Sequence, residues 1–106
     1  MVINIYEEFF RNRVAHFRMN RDVSARDMSL SLGQSSSYIN KIENGRNFPT
    51  MRNFFYMCKY LGVTPLEFFD ESINDPLHLK EVIENLKHLN TVQLSHVAAI
   101  VKDMQK

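Results

Sequence analysis

Apolar residues recur along this chain at helical rather than strand spacing. Phe10, Val14 and Phe17, with Met19 beside them, fall near one face of a helix expected from about Tyr6 to Asn20. Ser24 suits the start of the next, since its hydroxyl can accept from the unpaired N–H groups of the following turn. Asp27, three residues on, makes an acidic variant of the capping box. Met28, Leu30 and Leu32 are the apolar members of this second helix, and Gly33 can close it in the left-handed conformation. A third short helix is expected to begin at Ser35 or Ser36, with Ser35 as its cap, and to run to about Glu43. Ile39 and Ile42, three residues apart, are its inward anchors, and Asn44-Gly45 ends it. Thr50 is placed to cap a fourth helix, in which Phe54, Met57, Cys58 and Leu61 stand at i, i+3, i+4 and i+7. Gly62 closes that helix. Thr64-Pro65-Leu66-Glu67 then opens a fifth, with Thr as cap, Pro at the first helical position and Glu completing the box. Leu66 and Phe69 are expected to face the core.

Asp75-Pro76 marks a boundary, because the residue before a proline avoids the helical region. Two further amphipathic helices follow. Leu79, Val82, Ile83 and Leu86 form one stripe. Asn90 with Gln93 can cap the second, whose stripe is Leu94, Val97, Ala98 and Val101. With almost no strand pattern and no internal repeat, the chain reads as all-α, with five helices and then a C-terminal helical hairpin. The division expected is residues 1–72 and 73–106.

Composition changes this picture little. The 106 residues, 44% of them hydrophobic, suit one domain with a short appendage. No apolar run approaches the roughly 18 residues a bilayer requires. The opening "MVINIYEEFF" holds two glutamates and no basic region, unlike a signal peptide. A single cysteine, Cys58, supports neither a disulfide framework nor a metal cluster. A cytoplasmic location is the expectation.

Charge changes it more. The net charge is +1, but nine basic residues lie between Phe9 and Tyr60 (Arg11, Arg13, Arg18, Arg21, Arg26, Lys41, Arg46, Arg52, Lys59). Only three acids share that stretch (Asp22, Asp27, Glu43), a local balance of +6 against −5 for the rest. Such asymmetry favours an anionic partner for the middle of the chain.

Two short helices around Gly33 make a helix-turn-helix candidate, with a small residue at the turn. The second of them carries Ser36, Ser37, Asn40 and Lys41 on its outer side and no acid among them. A helix that enters the DNA major groove needs such a face. From Val14 to Phe69 the sequence resembles the phage-repressor/Cro-like (XRE-type) helix-turn-helix regulators. The resemblance rests on Arg18, Ser24, Met28-Ser29, Gly33, Ile39, Glu43-Asn44-Gly45 and Pro49, all in register, and on "YLGVTPLEFF", which is similar to the family's closing helix.

The resemblance implies a five-helix, lambda-repressor-like DNA-binding domain. It implies that Arg18 pairs with Glu43, tying the first helix to the end of the recognition helix. It places Ser36, Ser37, Asn40 and Lys41 at base-reading positions, with Ser35 beside them, and Asn44 and Arg46 near phosphates. Lys can donate to guanine, Asn suits adenine, and serine is permissive. The chain departs from the family at Ala25, where a phosphate-contacting Gln is frequent, at Ser29, where Ala is usual, and at Gln34, where an apolar residue is common. Arg26 is the candidate to replace the missing Gln contact.

Other chemistry is not expected. His16, His78, His88 and His96 have no close i, i+4 spacing, so a metal site is not anticipated. There is no Gly-rich phosphate loop or nucleophile motif, hence no expected enzyme activity or cofactor. The C-terminal helices either pack on their own domain or dimerise through Val82, Ile83, Leu86, Val97 and Val101 across a two-fold axis. Dimerisation is favoured, because such regulators bind paired half-sites. The function expected is sequence-specific duplex-DNA binding by a homodimeric transcriptional regulator, with residues 35–43 in the major groove. An antitoxin-like or other protein-interaction module on the same scaffold is the alternative. A small-molecule effector is not expected, since about 30 residues after Pro76 are thin for a cavity of hundreds of cubic ångströms unless two chains share it.

Overall fold

A computed structural model describes residues 4–106, and every regular element among them is helical. In chain order these are α1 (Ile5–Asn20), α2 (Ala25–Ser31), α3 (Tyr38–Glu43), α4 (Met51–Leu61), α5 (Pro65–Phe69), α6 (Pro76–Leu86) and α7 (Thr91–Met104). The chain divides into two compact units, Met1–Pro76 and Leu77–Lys106.

Side-chain caps set the helix starts. Ser24 Oγ accepts from Asp27 N at 3.0 Å and Thr50 Oγ1 from Asn53 N at 3.1 Å. Thr64 and Glu67 form a reciprocal box, as do Asn90 and Gln93. In all four the capping residue has extended backbone, which lets its short side chain reach forward.

The core of the first unit draws on five helices: Phe10, Val14 and Phe17 of α1, Met28 of α2, Ile39 and Ile42 of α3, Phe54, Met57, Cys58 and Leu61 of α4, and Phe68 of α5. Phe68 is its hub. Its ring centroid lies 5.3 Å from that of Phe10, 5.6 Å from Phe17 and 5.1 Å from Phe54, within the range where tilted aromatic pairs attract.

Burial corrects the inward faces expected at several positions. Leu66 is 80% exposed, and Met19 and Leu30 also face largely outward, whereas Phe69 is half exposed and packs its ring 5.6 Å from Phe54 and 5.0 Å from Phe68. The reason at α5 is its length. Five residues offer one fully buried position, and Phe68 takes it, with Arg13 holding the backbone there. Arg13, itself buried, donates from Nε to Phe68 O (2.6 Å) and from Nη2 to Glu67 O, Asp70 O and Ile73 O (2.9–3.0 Å). A cation thereby satisfies the carbonyls that a helix leaves unpaired at its C-terminus.

In the second unit α6 and α7 carry apolar side chains without burying them. Leu79, Val82, Ile83, Leu94 and Val101 remain 40–48% exposed, while Leu86 and Val97 are half-buried. An open apolar cleft of about 500 Å³ is lined by Leu86, Leu94, Val97, Ala98 and Val101. Among the described residues no helix is long and apolar enough to cross a membrane.

Candidate nucleic-acid interface

The interface is built from the turn between α2 and α3 outward. At the end of α2, Gly33 adopts φ +73°. Gly33 N donates to Leu30 O and Gln34 N to Ser29 O, both at 3.0 Å, closing the helix in the manner that favours glycine. Ser35 to Ser37 then form a turn in which Tyr38 N donates to Ser35 O at 3.0 Å.

The third helix consequently starts at Tyr38, not at Ser35 or Ser36, and the span expected over 35–43 contracts to Tyr38–Glu43. Ser35 is not its cap. Ser37 occupies that position with φ −101° and ψ 4° and makes no side-chain capping bond. Its backbone is not in the extended conformation from which a hydroxyl reaches the next turn.

The capping role passes to a residue of the preceding helix. Ser29, fully buried in α2, accepts from Ile39 N at 2.9 Å and donates to Ala25 O at 2.6 Å. The bond back to Ala25 is the behaviour expected of a serine within a helix. The bond forward to Ile39 is tertiary, and no local pattern announces it. The one signal was Ser29 itself, standing where the resembled family usually has alanine.

With Ile39 and Ile42 buried, α3 turns Asn40 and Lys41 outward, and Asn44 follows them at its exposed end. Asn44 Nδ2 donates to Asn40 Oδ1 at 3.1 Å, which orients the Asn40 amide. Tyr38 is half-buried, and its hydroxyl accepts from Asn53 Nδ2 of α4 at 3.2 Å. Gly45 at φ +76° ends the helix, with Gly45 N donating to Ile42 O (3.1 Å) and Arg46 N to Lys41 O (2.9 Å).

Arg18 and Glu43 meet in two parallel bonds, Nε to Oε2 at 2.8 Å and Nη2 to Oε1 at 3.0 Å. Arg18 Nη1 also donates to Val23 O at 2.9 Å. The two side chains are only 18% and 14% exposed. The bond to Glu43 outweighs burial and raises the Arg18 pKa. This fork fixes the C-terminal end of α3 to α1 and cancels the one acid of α3.

The basic residues thus sort by employment. Arg13 and Arg18 are engaged as described, and Arg21 donates to Tyr60 O at 2.5 Å. Arg26 in the first turn of α2, Lys41 and Arg46 are exposed, and their side chains have no hydrogen bond or ion pair among the described residues. Ser35 and Ser36 are exposed on the turn, and Ser37 is partly covered. Asn40, Lys41, Asn44 and Arg46 therefore share the end of one short helix, the serines lie just before it, and no bond joins Arg26 to either group. Cys58 is buried in the core and not on this surface, and burial pushes its thiol up to about 11. Among the described residues no three His, Cys, Asp or Glu side chains gather to hold a metal ion.

The helix-turn-helix family matches residues 14–68, just over half of the chain. No curated protein and no solved structure matches it. That match spans α2, the glycine turn, α3 and the Arg18–Glu43 fork, and it places the chain in the phage-repressor/Cro-like, XRE-type family of DNA-binding helix-turn-helix regulators.

Proposed function

We propose that this protein is a sequence-specific transcriptional regulator that binds duplex DNA as a homodimer, with α3 in the major groove. The observation that carries the reading is the composition of α3. Its inner side is fixed by Ile39 and Ile42, and its one acid is neutralised by Arg18. Its outer side offers Asn40 and Lys41. Lys41 can donate to guanine O6 and N7, and the oriented Asn40 amide suits adenine N6 and N7. Ser35, Ser36 and Ser37, on a turn and not on the helix, act near the backbone and discriminate bases weakly. Arg26, Asn44 and Arg46 serve positioning, since phosphate contacts fix register without carrying sequence information. With so few base-reading groups, DNA shape supplies part of the specificity.

The dimer reading assigns residues 1–72 to DNA binding and 73–106 to self-association. It is supported by the apolar side chains of α6 and α7, none of them buried within the second unit. Two such hairpins, joined through Val82, Ile83, Leu86, Val97 and Val101, would make a four-helix bundle with its stripes facing inward.

Selection of bound duplexes from a random pool tests the DNA reading. The expected site is an inverted repeat whose half-sites lie about one helical turn, or a multiple of it, apart. Binding to it should weaken steeply with salt. Lys41→Ala should cost about 1–3 kcal/mol per half-site and relax one base position in each. A pool without enrichment, or affinity indifferent to salt, would contradict the reading. Sedimentation should show a dimer that Ile83→Asp dissociates, and a wild-type monomer at high concentration would sink the dimer.

A further inference from the structure

Helix α1 carries three arginines, and two of them are saturated by the protein itself. Arg13 is ringed by carbonyls and Arg18 is forked onto Glu43. Arg11 differs. It is partly buried, yet no carbonyl or carboxylate engages it among the described residues. Glu7 and Glu8, at i−4 and i−3 on the same helix, form no ion pair with it.

The side chain is nevertheless held in place. It lies on Gly45, where an added Cβ would stand 3.1 Å from Arg11 Nη1, 3.2 Å from Cδ and 3.3 Å from Cζ. The neighbouring residue, Phe10, packs its ring 5.8 Å from that of Phe48 and so holds α1 against the same loop. A guanidinium is therefore parked over the backbone that ends α3, one residue from Asn44 and from Arg46. The backbone N–H groups of Gly45 and Arg46 are turned inward to Ile42 O and Lys41 O. Any anion that reaches this corner must be met by side chains. A guanidinium presents five donors in a planar fork that matches phosphate oxygens.

We propose that Arg11 is a phosphate contact supplied by α1, which grips the DNA backbone beside the end of α3 while resting on Gly45. This rests on the DNA-binding reading and adds to it a contact from outside the helix-turn-helix. It also gives Gly45 a second reason to lack a side chain: the space of its Cβ is where Arg11 lies.

The test uses the full chain with two probes, the duplex selected from the random pool and a random-sequence duplex, titrated over a range of salt. Arg11→Met keeps a stem over Gly45 and removes the donors. It should reduce the slope of log K against log[salt] by about 0.9 per protomer, about 1.8 for the bound dimer, weaken both duplexes by the same factor and leave base preference unchanged. Arg11→Lys should retain the slope. An Arg11→Met protein that keeps the wild-type slope overturns the proposal, even if its melting temperature falls, since that is the signature of a packing role alone. Should Arg11→Met not fold, the wild-type chain still decides: bound duplex should protect Arg11 from an arginine-specific dicarbonyl reagent, and an unchanged modification rate overturns the proposal. A wild type that binds neither duplex refutes the DNA reading, and this inference with it. A wild type with a steep slope and an indifferent Arg11→Met refutes Arg11 alone.

Discussion

Ser29→Ala should destabilise the first unit through one hydrogen bond. The Ser29 hydroxyl is fully buried and accepts from Ile39 N at 2.9 Å. Its removal leaves a buried N–H in the first turn of α3 without a partner, at a cost of about 1–3 kcal/mol. The bond it donates to Ala25 O matters less, because that carbonyl keeps its place in the α2 ladder. Alanine is the better helix former by up to about 0.5 kcal/mol, and deleting one oxygen opens little space. The net expectation is a loss of about 1–2 kcal/mol, or a fall of about 4–8 °C in melting temperature per kcal/mol.

Urea unfolding followed by circular dichroism measures the loss, and an unchanged m-value would confirm that stability alone has moved. Amide exchange localises it: protection at Ile39 should fall more than protection in α4. A variant within about 0.3 kcal/mol of wild type, with Ile39 protection unchanged, would refute the idea that α2 caps α3. Ser29→Ala would then simply restore the residue usual at this position in the resembled family.

Three further outcomes follow from other contacts. Arg18→Leu and Glu43→Gln, made singly and together, should show a coupling energy of about 1 kcal/mol or more in urea unfolding, since the fork is bidentate and partly buried; additive losses would reduce it to two independent charges. Gly45→Ala should cost about 1–2 kcal/mol for a side chain at φ +76°, before any displacement of Arg11, and a loss under about 0.5 kcal/mol in thermal unfolding would contradict this. Cys58, its thiol raised by burial from 9.0 to about 11, should resist alkylation in the folded protein at pH 8. Because its proton is held more tightly in the folded state, its contribution to stability is intact below about pH 9 and is lost as pH rises toward 11; rapid labelling without unfolding would show the thiol to be accessible.

What could be read from the sequence was what local chemistry decides. Ser24, Thr50, Thr64 with Glu67, and Asn90 with Gln93 mark helix starts because a cap acts over three residues. The buried face of α4 was legible because 11 residues sample the helical period three times. Periodicity fails where helices are too short to repeat. In α5 the pair Leu66 and Phe69 satisfied the spacing as well as any other, yet Phe68 is the one fully buried, with Arg13 holding the backbone there. Arg13 was itself illegible, since nothing local distinguishes an arginine that closes a distant helix from one that faces water.

Both failures meet in α3. Its six residues are far fewer than the 12–15 at which an isolated helix becomes even marginal. Its existence depends on other elements: Ser29 of α2 at its first turn, Asn53 of α4 on Tyr38, Arg18 of α1 on its last residue, and the two isoleucines beneath. None of these anchors faces outward, and none of the outward side chains is an anchor. Substitutions at Asn40 and Lys41 should therefore alter which duplex is bound while leaving unfolding within about 0.5 kcal/mol of wild type. Substitutions at Ser29, Arg18 or Glu43 should lower stability and affinity together without changing base preference. The division holds because tertiary contacts, and not the reading residues, pay for the helix.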